Sequence, residues 1–128
     1  MLTVGLVLAG LAAALHVYIF FMESLAWTRP STRAVFGTSA EEAEATRELA
    51  FNQGFYNLFL AVVSVVGIVV VATGPDDVGS ALVLAGTGSM AAAATVLVAG
   101  NPARSSAALK QGLVPLLAVV AVAIGLAT

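Results

Sequence analysis

The stretch FNQGFYNLFLAVVSVVGIVVVAT, residues 51–73, decides the fold. It contains no charged residue, and after Asn57 its apolar run is broken only by Ser64 and Gly67. A bilayer core about 30 Å thick needs about 20 apolar residues of helix, so the stretch reads as a membrane span. Its opening is polar, with Asn52, Gln53, Tyr56 and Asn57 in the first two turns.

Three further runs have the same character. The first spans Leu2 to Trp27 and is interrupted only by His16 and Glu23. Another covers Ser80 to Gly100, and the last covers Ala107 to Ala127, with Lys110 and Gln111 near its start. The expected spans are therefore 2–27, 51–73, 80–100 and 107–127. In a chain of 128 residues they leave only short connections, so one domain, residues 1–128, is expected. No Lys or Arg precedes the first run, and it is longer than a secretory h-region. It is expected to stay as a span.

Composition agrees. Hydrophobic residues make up 60% of the chain and charged residues 9%, and the mean hydropathy is +1.04. A soluble domain of this size has too much surface to hide that apolar content. A soluble globule, a disordered chain and a nucleic-acid binder are excluded. The chain has no Cys, hence no disulfide, thiol nucleophile or Cys-based metal site, and its single His leaves no metal cluster. The expected fold is all-α, an integral membrane four-helix bundle.

The cations set the expected orientation. Arg29, Arg33 and Arg47 lie between the first two spans, and Arg104 and Lys110 lie at the last connection. The termini and the turn at Gly74 to Gly79 carry none. The positive-inside rule puts the cationic side, with the long first loop, in the cytoplasm and both termini outside. The expected location is the inner (plasma) membrane.

Local signals mark the ends of elements. Pro30 stops the first helix. Ser39 followed by Glu42 has capping-box spacing. An unbroken helix from there through the second span would be roughly 51 Å long, so the acidic run Glu41, Glu42, Glu44 and Glu48 is expected in water or at the interface. Gly74-Pro75 and Gly100-Asn101-Pro102 are turn signals, the second with Asn101 as N-cap. Gly86, Gly88, Ser89 and Ala91 to Ala94 form a small-residue face for close packing, within the bundle or between subunits of a homo-oligomer. Pro115 frees the carbonyl of Gln111, which implies a kink or an opened cavity.

The polar residues inside the spans share one layer. Glu23 lies near the cytoplasmic end of the first span, and His16 stands seven residues earlier on the same face, about 10 Å deeper. Asn52, Gln53, Tyr56 and Asn57 fall within about 140° of the second helix. Gln111 and Lys110 enter the last span at the same depth. Asn52, Gln53, Tyr56 and Gln111, with Arg47 or Lys110, are the expected partners of Glu23. An embedded carboxylate costs about 2.5–3.5 kcal/mol if it behaves as Asp does on the insertion scale. Interhelical polar contacts return well under ~1 kcal/mol each. Helix-gluing thus accounts for the amides better than for Glu23. The expected ligand-binding set is Glu23, Asn52, Gln53, Tyr56, Asn57, Gln111, His16 and Arg47, taking a small or lipid-like molecule. A purely structural network is the competing account.

The segments His16-Val-Tyr-Ile-Phe-Phe-Met-Glu23 and Asn52-Gln-Gly-Phe-Tyr-Asn57, with Trp27, Phe36, Gln111 and Pro115, resemble the bacterial domain-of-unknown-function 1304 family. That resemblance covers nearly the whole chain and implies small four-span membrane proteins of no established activity. Arg47-Glu-Leu-Ala-Phe-Asn52 through Ala61 is also similar to the second-span motif of the membrane-associated eicosanoid and glutathione metabolism (MAPEG) family. This second resemblance implies a trimeric membrane enzyme using a thiol cofactor, with Arg47 and Asn52 on a small anionic cofactor. The second-span Glu of that family is absent here, Phe55 and Tyr56 standing near its place. The four-span layout with one acid in the first span is similar to small multidrug-resistance transporters, which implies proton-coupled transport with Glu23 as the titrating group.

Overall fold

A computed structural model describes residues Met1–Thr128, all helix and short turns. Helix α1 (Leu2–Phe20) runs straight into a π-helical turn, Phe21–Leu25. Two short helices follow, α2 (Pro30–Phe36) and α3 (Ala40–Ala45). Then come α4 (Arg47–Thr73), α5 (Asp76–Gly100), a 3-10 turn (Pro102–Arg104) and α6 (Ser105–Ala127). Helices α1, α4, α5 and α6 are long and apolar enough to cross a membrane. They form a ring in which α1 packs on α4 and α6, and α5 packs on the same two helices from the opposite side.

The packing is compatible with a lipid bilayer environment. Only 28 of 128 residues are buried, so most of the apolar surface faces outward. The central cluster is small, Ala9, Val83, Ala118 and Val122. Larger side chains such as Leu11, Phe59, Val62, Val69, Leu117 and Ile124 point away from the bundle. In lipid no hydrophobic force drives large side chains inward, so close approach of small residues supplies the cohesion. Helices α4 and α5 come into backbone contact. A Cβ on Gly67 would stand 2.7 Å from the Val83 nitrogen and 2.8 Å from the Gly79 carbonyl oxygen.

Only part of the small face of α5 is used within the bundle: Ala92 and Ala93 are exposed, and Gly88 and Ala91 half-buried. Gly86 is buried against Ser64 of α4, and Ala94 meets Gly112 of α6. Gly88 has no neighbour within 4 Å of a built Cβ, and Ser89 is exposed. Helix α6 continues through Pro115, which is buried.

The connections follow their local chemistry. Pro30 stands at the start of α2, and Gly37, at φ 65°, closes it in the left-handed conformation that lacks a Cβ penalty. Asn101 caps the 3-10 turn through Ala103 N–H. Ser39 and Glu42 form the reciprocal capping box, at 3.1 and 2.9 Å. The long helix does not run unbroken, however. It breaks at Thr46 (φ −105°, ψ 7°), between α3 and α4. There the Thr46 hydroxyl donates to the Glu42 carbonyl at 2.7 Å and accepts from the Trp27 indole N–H at 3.1 Å. A side chain bonding back to the i−4 carbonyl bends a helix, and Trp27 holds the bend.

The Ser39 hydrogen bonds, backbone first, hold the Glu42 carboxyl below its ordinary range. A depressed carboxyl stabilises the cap above its unfolded pKa and loses that contribution as pH falls through the folded one. Backbone hydrogen exchange over residues 39–45, corrected for intrinsic rates, is therefore expected to quicken on acidification. Ser39→Ala should quicken exchange already at neutral pH and, since the backbone N–H that Glu42 accepts from is kept, leave part of the pH dependence. Exchange in Ser39→Ala as slow as in the wild type would show that the cap does not hold α3.

Candidate functional site

The site grows from the π turn. A π turn inserts an extra residue into an α-helix and is frequent at functional sites. Here the turn Phe21–Leu25 carries Glu23 and Ser24 to the end of α1, where they meet the first turns of α4. Gly54 makes that meeting close: a Cβ there would collide with Ser24 Oγ and lie 3.0 Å from the Ser24 nitrogen. The Ser24 hydroxyl donates to the Phe51 carbonyl at 2.7 Å. Asn57 Nδ2 donates to Glu23 Oε2 at 2.8 Å and also approaches the Gln53 carbonyl at 3.2 Å.

Glu23 is half-buried, and its second oxygen behaves differently. Oε1 accepts no hydrogen bond from the protein, and it is not among the sealed unsatisfied atoms. It is reachable. Two cavities adjoin the residue. One, of about 600 Å³, is lined by Glu23, Ser24, Trp27, Glu44, Arg47, Glu48 and Phe51. The other, of about 550 Å³, is lined by Glu23, Trp27, Phe36, Glu42, Thr46, Gln53 and Arg104. Trp27 stands between them, edge-on to Phe36 with centroids 5.0 Å apart.

The structure thus brings Asn57 to Glu23 and sets Arg47 and Gln53 in the walls of the two separate cavities that adjoin it. The donor that Glu23 finds is Asn57, and not Asn52, Gln53, Tyr56 or Gln111. Arg47 is exposed and pairs with Glu44 at 3.5 Å, not with Glu23. Asn52 and Tyr56 are exposed and line neither of the cavities beside Glu23. The reason is helical direction. The α4 face toward α1 is centred on Ala50, Gly54 and Ala61, which are buried. At about 100° per residue, Asn57 sits roughly 60° from Gly54, whereas Asn52 and Tyr56 sit roughly 160° away. The polar arc is divided by the contact line.

His16 and Gln111 also stand apart. His16 is buried and its Nδ1 lies 2.9 Å from the Ala12 carbonyl, one turn earlier on its own helix. It lines neither Glu23 cavity. Gln111 lines a different cleft, between α1, α2 and α6. Residues that the sequence pattern left aside complete the walls: Ser24, Thr46, Glu44, Glu48, Phe36 and Phe51, together with Trp27. Trp27, four residues after Glu23, carried a usable signal as an amphipathic ring at interfacial depth. Ser24 and Thr46 carried none, because their bonds depend on how the helices meet.

Residues 10–123 match the model of a family described as protein of unknown function (DUF1304). No curated protein and no solved structure matches the chain.

Proposed function

This chain belongs to the DUF1304 family, and from that premise we propose that it is a membrane protein binding a small amphiphile whose amine or other donor end meets Glu23. The observation that carries this is the free Oε1 of a carboxyl embedded in a span and bordered by two cavities. An embedded carboxyl is costly unless it faces a partner or a polar cavity. Asn57 supplies one hydrogen bond and leaves the other oxygen for a ligand. The charges nearby favour a cationic end, since Glu23, Glu44 and Glu48 share the larger cavity with Arg47 as its one cation. Trp27 and Phe51 supply the aromatic wall along which an apolar tail or a cation can rest.

All five Lys and Arg residues belong to the end of the bundle that holds the site, in the connections before α4 and α6 or in the first turns of those helices. The positive-inside rule makes that end cytoplasmic. Ligand would enter from the cytoplasmic leaflet.

Octylamine and octanol differ in the end group offered to Glu23, so they make the test. The protein in nanodiscs should be stabilised against heat by octylamine more than by octanol. Glu23→Gln keeps an acceptor for Asn57, so it should fold. It should weaken the amine by about 10- to 100-fold, the loss expected for a hydrogen bond to a charged group worth about 1.5–3 kcal/mol. Equal octylamine affinity in the wild type and in Glu23→Gln would overturn the assignment.

A further inference from the structure

A second cleft lies on the other side of α1, and its chemistry is opposite. It holds about 370 Å³ between α1, α2 and α6. Leu15, Ile19 and Met22 of α1 form an apolar floor, and Arg104, Lys110 and Gln111 line it from the start of α6. No carboxylate lines it. Lys110 makes no ion pair. Arg104 lies between this cleft and the neighbouring cavity, where Glu42 is the carboxylate it influences.

We propose that this cleft holds the headgroup of an anionic phospholipid from the bilayer. The charge favours an anion, since two cations and an amide donor face a cavity without an acid. The surroundings favour a lipid over a soluble anion, because the same cleft continues into outward-facing apolar surface. Leu11 lies a heptad before Tyr18, and Leu117 a heptad after Lys110. Both are exposed, at 58% and 46%. The two helices are antiparallel, so both residues lie deeper than the cleft on faces continuous with it. An acyl chain leaving the headgroup would run along them. Positive residues near an anionic leaflet are each worth about fivefold in binding.

The test uses the purified full chain in nanodiscs of phosphatidylcholine with a fraction of phosphatidylglycerol. Lipid retained after release is read by native mass spectrometry. Phosphatidylglycerol should be retained over phosphatidylcholine. Arg104→Ala and Lys110→Ala, both at exposed positions, should each lower that preference about fivefold, and Lys110→Arg should keep it. Ala107→Phe, which fills the cleft without touching charge, should also abolish it. Arg29→Ala, outside the cleft, should leave it unchanged. If Arg29→Ala weakens the preference as much as Lys110→Ala, the attraction is that of the whole charged end and the proposal fails. Displacement by millimolar glycerol 3-phosphate would overturn it in favour of a soluble anion. Glu23→Gln should retain the preference, so loss of the amine site and loss of this one are separable.

Discussion

Gly67→Ala is expected to destabilise the bundle by about 1–3 kcal/mol, the range for overpacking a close contact. The added Cβ meets the Val83 Cγ2 at 2.8 Å and, besides that side-chain atom, two backbone atoms: the Val83 nitrogen at 2.7 Å and the Gly79 carbonyl at 2.8 Å. Neither backbone atom can rotate away, so α4 and α5 must separate along their contact. Helix propensity acts in the other direction, since Ala is favoured over Gly by up to about 1 kcal/mol. The steric cost exceeds it. Because packing of small residues is the main cohesion between helices in lipid, the loss is not recovered elsewhere. Gly88→Ala provides the control, as nothing lies within 4 Å of its Cβ. Reversible unfolding in mixed micelles should show Gly67→Ala well below wild type and Gly88→Ala at or slightly above it. Equal stability of the two variants would mean that α4 and α5 are not in backbone contact.

Gly54→Val should remove the site as well as stability. Its Cβ would collide with Ser24 Oγ and stand 3.0 Å from the Ser24 nitrogen and 3.1 Å from Glu23 Cβ. A branched side chain needs still more room. Pushing the π turn away from α4 breaks the Ser24 bond to the Phe51 carbonyl and the Asn57 bond to Glu23. At about 1 kcal/mol per hydrogen bond, and more for one to a charged group, the total is about 3–5 kcal/mol with the steric term included. Octylamine stabilisation should vanish in the same variant. Asn57→Leu separates the two effects, since it deletes one donor without moving α1. A Gly54→Val protein that binds octylamine normally would show that the π turn does not position Glu23.

Much of the architecture was legible because lipid acts on residues one at a time. The run from Phe51 to Thr73 is long and apolar enough to cross a membrane whatever it packs on, and α4 contains all of it. Capping is equally local: Ser39 and Glu42 are three residues apart, and their reciprocal bonds formed as the spacing implied. The break at Thr46 was not legible, because the acceptor for the Trp27 indole lies 19 residues along the chain.

The sequence by itself determined the four apolar helices, the family that residues 10–123 match and the end of the bundle that carries the cations. Those properties are sums over residues or bonds within a turn. Only the tertiary structure decided that Asn57, and not Asn52 or Tyr56, faces Glu23, and that Gln111 belongs with Arg104 and Lys110 in another cleft. Both outcomes depend on the direction of contact between helices. That direction is fixed where Gly54 lets the π turn touch α4, a constraint between residues distant in the chain.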